Sequence, residues 1–364
     1  MSATETAFSR ALAAAQAGEL ARAEAAYRQA IAENPEHLEA LRGLAAMLRQ
    51  AARATEAAAL EAQADCVESA DLAKVAAQLI KLAQHDSAAR SLARALELDP
   101  ANADALNLAG CQARVRGDFL LARELYARAQ AAAPEDLQIA AAQQILSGVP
   151  LRAETEDDMP VIVPFARLEK FLDPARRAEV MDFARQNLSV FRRSHVLIGT
   201  DHAYDTSVRS SRVAMEPKSI APWFKPLVEE ALPQVFARLG YAPFEVAKIE
   251  LQMTAHLDGD FYTVHNDNSH GYRQGHDSDG RRISFVYYFC REPKRFTGGG
   301  LKLFDTDLRK GAYRKEVFSR ISPDDNSIVF FPSAAMHEVE HLRLESDDPA
   351  DGRFTLNGWV HPLA

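Results

Sequence analysis

One internal repeat constrains this chain more than any other feature. Gly18, Ala23, Tyr27, Ala30 and Pro35 recur as Gly117, Ala122, Tyr126, Ala129 and Pro134, with the same offsets of 5, 4, 3 and 5 residues. Between these copies, Ala88, Leu92, Ala95 and Pro100 keep the offsets, and Ala57, Glu61 and Ala64 form a weaker copy without the proline. Pro100 and Pro134 are 34 residues apart. A unit of this size is one supersecondary element that buries its apolar face only against its neighbours. Small residues let helices approach closely, and proline stops a helix because it cannot donate the next backbone bond. The first half, to about Leu146, is therefore expected to be about four stacked helical pairs closed by a capping helix near 137–146. The rival expectation is a plain Ala-rich bundle.

The period, the small contact residues, the aromatic in the second helix and the closing proline resemble the tetratricopeptide repeat. That resemblance implies an all-α solenoid over residues 1–147, with a concave groove suited to extended peptides. Residues 148–160, GVPLRAETEDDMP, turn polar and acidic and read as a linker. From 161 to 364 the pattern changes. Helical stretches remain at 174–186 and 221–239, but short β-branched and aromatic runs dominate, at 247–257, 282–289, 301–304, 327–331 and 354–360. Helices followed by many short strands predict a double-stranded β-helix, or jelly roll, with supporting helices, so the chain is expected to be multidomain.

The second half also carries a chemical constellation. His265-Asn266-Asp267 follows the strand-like ELQMTAHL and the turn DGDF. Residues two apart share a face of a strand, so His265 and Asp267 can both address one cation. Two imidazoles and one carboxylate leave open positions on Fe(II) for dioxygen and a chelating co-substrate. A second histidine is needed, and His337 supplies it after the apolar run SIVFFPSAAM. Arg353 then opens the last strand, RFTLNGWV; a buried guanidinium there would clamp a dicarboxylate through paired charged hydrogen bonds.

These residues resemble the 2-oxoglutarate/Fe(II) dioxygenases of the prolyl 4-hydroxylase type, over most of residues 160–364. That family's strand before the metal reads Tyr-x-x-Gly-x-x-Tyr-x-x-His-x-Asp; here it reads His256-Leu-Asp-Gly259-Asp-Phe-Tyr262-Thr-Val-His265-Asn-Asp267. DGRRISFVYYF, TGGGLKLFD, FFPSAAMHEV and GRFTLNGW follow in the family's order. The resemblance implies Fe(II) on His265, Asp267 and His337, and 2-oxoglutarate contacted by Arg353 and Tyr288, with Tyr262 and His256 as further cofactor-binding candidates. It further implies O2 as co-substrate, ascorbate in support, and a peptide or protein substrate hydroxylated at proline and met through the repeat groove. The chain departs from the family where His256 replaces a tyrosine, and where LESDDPAD lengthens the separation of His337 from Arg353. Asp267 is retained, which argues against the halogenase variation of such sites.

Two other readings of the same residues are open. His337-Glu338-Val339-Glu340-His341 spells the zinc-peptidase string H-E-x-x-H, which requires a helix and a third ligand, for which His361 is available. A non-catalytic repeat scaffold carrying a degenerate oxygenase fold is the other. His270 and His276 fall in the polar insert NSHGYRQGHDSDG, expected to be a solvated loop over the site's mouth. A net charge of −9 argues against nucleic acid as a partner. The first ten residues lack a signal-peptide pattern, and no apolar run reaches membrane-spanning length, so the expected location is the cytoplasm, with no membrane partner. Cys66, Cys111 and Cys290 have no CxxC spacing and are expected to be buried, reduced, small apolar residues.

Overall fold

The computed structural model describes residues 3–151, 160–193, 196–198, 201–203, 207–214, 217–268, 280–308 and 310–363. The repeats form helices α1 (Ala3–Gln16), α2 (Leu20–Glu33), α3 (Leu38–Gln50), α4 (Ala54–Lys81), α5 (His85–Leu98), α6 (Ala103–Arg116) and α7 (Phe119–Ala132). The cap is α8 (Leu137–Ser147), opened by the Asp136 carboxylate, which accepts from the amides of Gln138 and Ile139. Every repeated alanine named above is buried, as are Tyr27, Leu92 and Tyr126. A left-handed residue stands five positions before the first alanine of each copy. It is Gly18 (φ 74°) or Gly117 (φ 79°) in the outer copies, and Ala52 (φ 60°) or Ala83 (φ 55°) in the inner ones. The two alanines adopt a conformation that costs an L-residue roughly 1–2 kcal/mol, so packing of the repeats outweighs it.

The weak copy has a structural consequence. Where the others place proline, it has Ser69, and nothing stops the helix. The second member of one pair therefore runs on into the first member of the next as α4, 28 residues long. Ser69 is buried, donates to the Ala95 carbonyl at 2.8 Å and accepts from Asn102 at 2.8 Å. Cys66, expected to be buried, is exposed, because α4 turns its alanines inward and Cys66 lies on the other face; Cys111 is half-buried and Cys290 buried.

The chain divides into two compact units: Met1–Gly110 with Ala127–Ala133, and Cys111–Tyr126 with Pro134–Ala364. The division falls inside α6 and α7 and not at the polar stretch 148–160, of which 152–159 lie outside the described residues.

The second unit contains β1 (Ala166–Glu169), α9 (Pro174–Gln186), β2 (Arg192–Arg193), β3 (Val196–Ile198), β4 (Asp201–Ala203), β5 (Arg209–Ser210), β6 (Arg212–Ala214) and α10 (Ala221–Leu239). There follow β7 (Val246–His256), β8 (Phe261–His265), β9 (Ile283–Phe289), β10 (Phe296–Gly298), β11 (Leu301–Asp307) and β12 (Ala312–Ile321). The last strands are β13 (Ser327–Pro332), β14 (His337–Val339), β15 (Leu342–Leu344) and β16 (Arg353–Pro362). A major sheet runs β1-β13-β9-β16-β7-β6-β2 and a minor one β12-β11-β14-β8-β5, all pairings antiparallel. This is the jelly-roll architecture expected.

Alternation along the central strands sorts the residues. Phe285, Tyr287 and Phe289 of β9, and Phe354, Leu356 and Val360 of β16, join one core with Val180 and Met181 of α9 and Phe224 and Val228 of α10. Their neighbours in sequence face the minor sheet, where Tyr288, Val329 and Phe331 pack with Leu301, Leu303 and Ile321. The candidate site residues therefore lie between the sheets. Among the described residues, no helix is long and apolar enough to cross a membrane.

Candidate active site

The minor sheet brings the two histidines together. His265 ends β8, His337 opens β14, and they are direct cross-strand partners with ring centroids 4.1 Å apart. Each ring is fixed by a carbonyl two residues upstream: His265 Nδ1 lies 2.8 Å from the Thr263 oxygen and His337 Nδ1 2.9 Å from the Ala335 oxygen. A carbonyl only accepts, so Nδ1 carries the proton in both rings and each Nε2 presents a lone pair. Both lone pairs meet Asp267, at 3.8 Å from His265 and 3.6 Å from His337, and the three donor atoms lie within 4.8 Å of one another. Burial, then the neighbouring His337, holds His265 down to about 3. Burial works against ionisation of Asp267, but the two histidines and hydrogen bonds from Ser284 and Trp359 outweigh it and keep the carboxyl below its ordinary range. Two imidazoles aimed through Nε2 at an ionised carboxylate are the donor set a divalent transition metal requires.

Two side chains that sequence reasoning did not single out orient Asp267. Ser284 Oγ donates to Asp267 Oδ2 at 2.6 Å, and Trp359, its register partner across β9 and β16, donates from its indole. Arg281 lies over the Trp359 ring at 3.7 Å and pairs with Glu250 at 2.6 Å. Backbone bonds from Asp267 and Asn268 to the Ser333 carbonyl hold the turn.

A second polar cluster lies on the major sheet. Arg353 opens β16 opposite His256 of β7 and is 2% exposed. Its Nη1 donates to His256 Nδ1 at 3.0 Å, and its guanidinium carbon is 4.9 Å from the centre of the Tyr288 ring. A guanidinium cannot accept, so the His256 proton resides on Nε2. Burial pushes His256 well below the ordinary histidine range, with Arg353 adding to it. Among the described residues, Arg353 Nε, His256 Nε2 and the Thr355 hydroxyl have no hydrogen-bond partner, and no carboxylate pairs with Arg353. A buried cation with an unpaired Nε and two further unpaired groups beside it suits a carboxylate of a small dicarboxylate. Gly299 (φ 67°) makes room for the arginine stem, since a Cβ there would stand 2.9 Å from Arg353 Cδ.

Tyr262 is placed on the other side, stacked on His265 at 3.5 Å between centroids and covered by Arg209 at 4.6 Å. Arg209, another residue without a sequence signal, is thus a largely desolvated cation beside the triad, which lowers it from the ordinary arginine range. The zinc-peptidase reading fails on local structure. H-E-x-x-H lies on strand β14 and the turn after it, His341 stacks on Phe261, and His361 is 3.0 Å from Glu250. His270 and His276 lie outside the described residues.

Residues 251–361 match the model of the 2OG-Fe(II) oxygenase superfamily, and residues 8–71 and 78–136 that of the tetratricopeptide repeat. The chain thus carries tetratricopeptide repeats followed by an oxygenase domain of that superfamily. Over 199 residues it is 34% identical to an uncharacterized PKHD-type hydroxylase of Synechocystis sp., covering 54% of this chain and 62% of the relative. The chain thus spans less than two thirds of that relative's length. It is 31% identical over 90 residues to a prolyl 3-hydroxylase of Mus musculus, covering 24% of this chain and 15% of that one. Among solved structures, a Pseudomonas putida prolyl-4-hydroxylase is 18% identical, with a TM-score of 0.40, over 57% of this chain and 97% of the other.

Proposed function

We propose that the chain is an Fe(II)- and 2-oxoglutarate-dependent dioxygenase that hydroxylates a peptide or protein substrate at proline, with the repeats aiding substrate recognition. The observation that carries this reading is the pairing of two polar clusters between one pair of sheets. One holds three converging metal donors, the other a buried guanidinium whose Nε has no partner. His265, Asp267 and His337 would hold the iron. Arg353, Tyr288 and His256 would hold the far carboxylate of 2-oxoglutarate, with Thr355 beside them, while Tyr262 would brace His265. Iron with 2-oxoglutarate supplies oxygen activation for attack on a substrate C–H bond, and ascorbate would sustain turnover by keeping the metal reduced.

The protein's own residues act by orientation and exclusion. The carbonyls behind both histidines fix the ring tautomers, Ser284 and Trp359 fix the carboxylate, and burial of Arg353 strengthens its hold on an anion. The hydroxylase names of the relatives support hydroxylation as the outcome. By function, we assign recognition to residues 1–147 and chemistry to 161–364, joined through 148–160. The test is incubation of the full chain with Fe(II), ascorbate, 2-oxoglutarate and a proline-containing peptide library. Succinate with a mass gain of one oxygen on proline is expected; oxygen gained only on other residues, or no succinate, overturns the substrate or the whole reading respectively.

A further inference from the structure

Arg114, near the end of α6, is 1% exposed, yet its hydrogen bonds reach neither of the two clusters above. Its Nη1 and Nη2 donate side by side to Asp305 Oδ1 at 2.8 Å and Oδ2 at 2.9 Å. Nη1 also donates to the Ser319 hydroxyl at 3.1 Å, and Nε to the Tyr126 hydroxyl at 3.1 Å. A forked pair of this kind fixes orientation as well as distance.

Asp305 is where the pairing of β11 with β12 breaks register, from Phe304↔Phe318 to Thr306↔Tyr313. The extra residues lie on β12, where residues 314–317 stand opposite the single β11 residue Asp305, and the Asp305 carboxylate is held by Arg114. The residues on either side of Asp305 grip one residue of the neighbouring segment. Phe304 donates from its amide to the Met336 carbonyl at 3.0 Å, and the Met336 amide donates to Thr306 Oγ1 at 3.3 Å. Met336 immediately precedes His337, whose cross-strand partners are Leu303 and His265. A path of short bonds therefore leads from a repeat helix to a candidate metal ligand.

We propose that Arg114 is a positioning residue for His337: it fixes Asp305 at the register break between β11 and β12, and the flanking Phe304 and Thr306 then set the place of Met336 and so of the ligand ring. The inference rests on the metal assignment above. It makes the last repeat a structural part of the iron centre. Removing one partner of a buried pair leaves an uncompensated charge, whereas replacing both with apolar residues of similar volume is tolerated far better.

The experiment uses full-length wild type, Arg114→Lys, the double variant Arg114→Met with Asp305→Leu, and Ser69→Ala as a control for lost stability alone. Co(II) is titrated into each and followed by its visible absorption, and the thermal midpoint is measured without metal. Disturbed outer-shell support costs roughly 10–100-fold in metal affinity, so both Arg114 variants should bind Co(II) at least about tenfold more weakly, with a changed band shape. Ser69→Ala should keep the wild-type affinity and spectrum even as its midpoint falls. Wild-type affinity and spectrum in both Arg114 variants would overturn the proposal. Should the double variant not fold, Arg114→Lys decides in the same way, with its far-ultraviolet circular dichroism confirming the fold. A wild-type chain that takes up no Co(II) would refute the metal assignment instead, a separate result.

Discussion

Replacing Arg353 with methionine should move stability and co-substrate binding in opposite directions. The stem is retained, so packing beside Gly299 survives, and only the guanidinium is lost. In the free protein that guanidinium is buried with Nε unpaired and no carboxylate partner among the described residues, a desolvated charge whose removal relieves the fold. His256 loses a charged donor in exchange, which leaves its buried Nδ1 unpaired at a cost of about 1–3 kcal/mol. With 2-oxoglutarate the balance reverses. Hydrogen bonds to charged groups contribute about 1.5–3 kcal/mol each, so loss of a two-bond clamp costs roughly 3–6 kcal/mol. At about 1.4 kcal/mol per tenfold, affinity should fall by on the order of 100-fold to 10,000-fold. Thermal unfolding with Mn(II) present reads both effects. Wild type should gain a 2-oxoglutarate-dependent rise in midpoint, since a ligand at 100 times its Kd adds about 2.7 kcal/mol. Arg353→Met should start at or above the wild-type midpoint and show no rise. An undiminished rise would place the carboxylate's partner elsewhere, and a large drop in the starting midpoint would make Arg353 a structural residue.

Three further outcomes follow from the same geometry. His337→Ala should abolish metal-dependent 2-oxoglutarate turnover while His341→Ala, altering a ring stacked on Phe261, leaves it within about twofold, a difference that a succinate assay reads directly. Ala52→Gly and Ala83→Gly should each raise stability by about 0.5–1 kcal/mol, since both alanines hold a positive φ; lowered midpoints in scanning calorimetry would contradict this. His256 should make the protein acid-sensitive. Its folded pKa lies well below 6.5, so as pH falls through that value the unfolded state takes up a proton that the folded state refuses, and stability is lost at up to about 1.4 kcal/mol per pH unit. His256→Gln should shrink the fall in midpoint between pH 7 and pH 5.5, and an unchanged fall would remove His256 as its source.

How much of the fold was legible depends on how local each cause is. Alanine spacing marks the helices because the buried face is set by residues three and four apart, as Ala23, Tyr27 and Ala30 show. The missing proline at Ser69 was visible, but its effect was not. Whether two pairs fuse into one helix depends on Ser69 finding Ala95 of α5 and Asn102 just before α6. The five expected strands are all present, at slightly different bounds, because they supply the apolar core. The strand β12, AYRKEVFSRI, is charged over its first half and buries only its later residues, so its apolar pattern is too short to read as a strand. The second compact unit includes Arg114 and its partner Asp305, a long-range pairing that no window of sequence contains.

The site divides along the same line. His265, Asp267, His337 and Arg353 could be chosen from the sequence because each has a chemistry the others require, and the register of β8 with β14 and of β7 with β16 brings them to their partners. Residues that act on those side chains carry no such demand. Ser284 is one serine in a hydrophobic strand, and Trp359 reads as core packing until the pairing of β9 with β16 sets it beside Ser284 and toward Asp267. One sign was available in advance: Arg353, Thr355, Asn357 and Trp359 alternate with Phe354, Leu356 and Val360, so a strand that buries its even positions must turn the odd ones to the site. Arg209 offers no comparable sign. A guanidinium over Tyr262, which itself stacks on His265, is defined only by the pairing of β5 with β8, and a short polar run such as VRSSRV does not specify that partner.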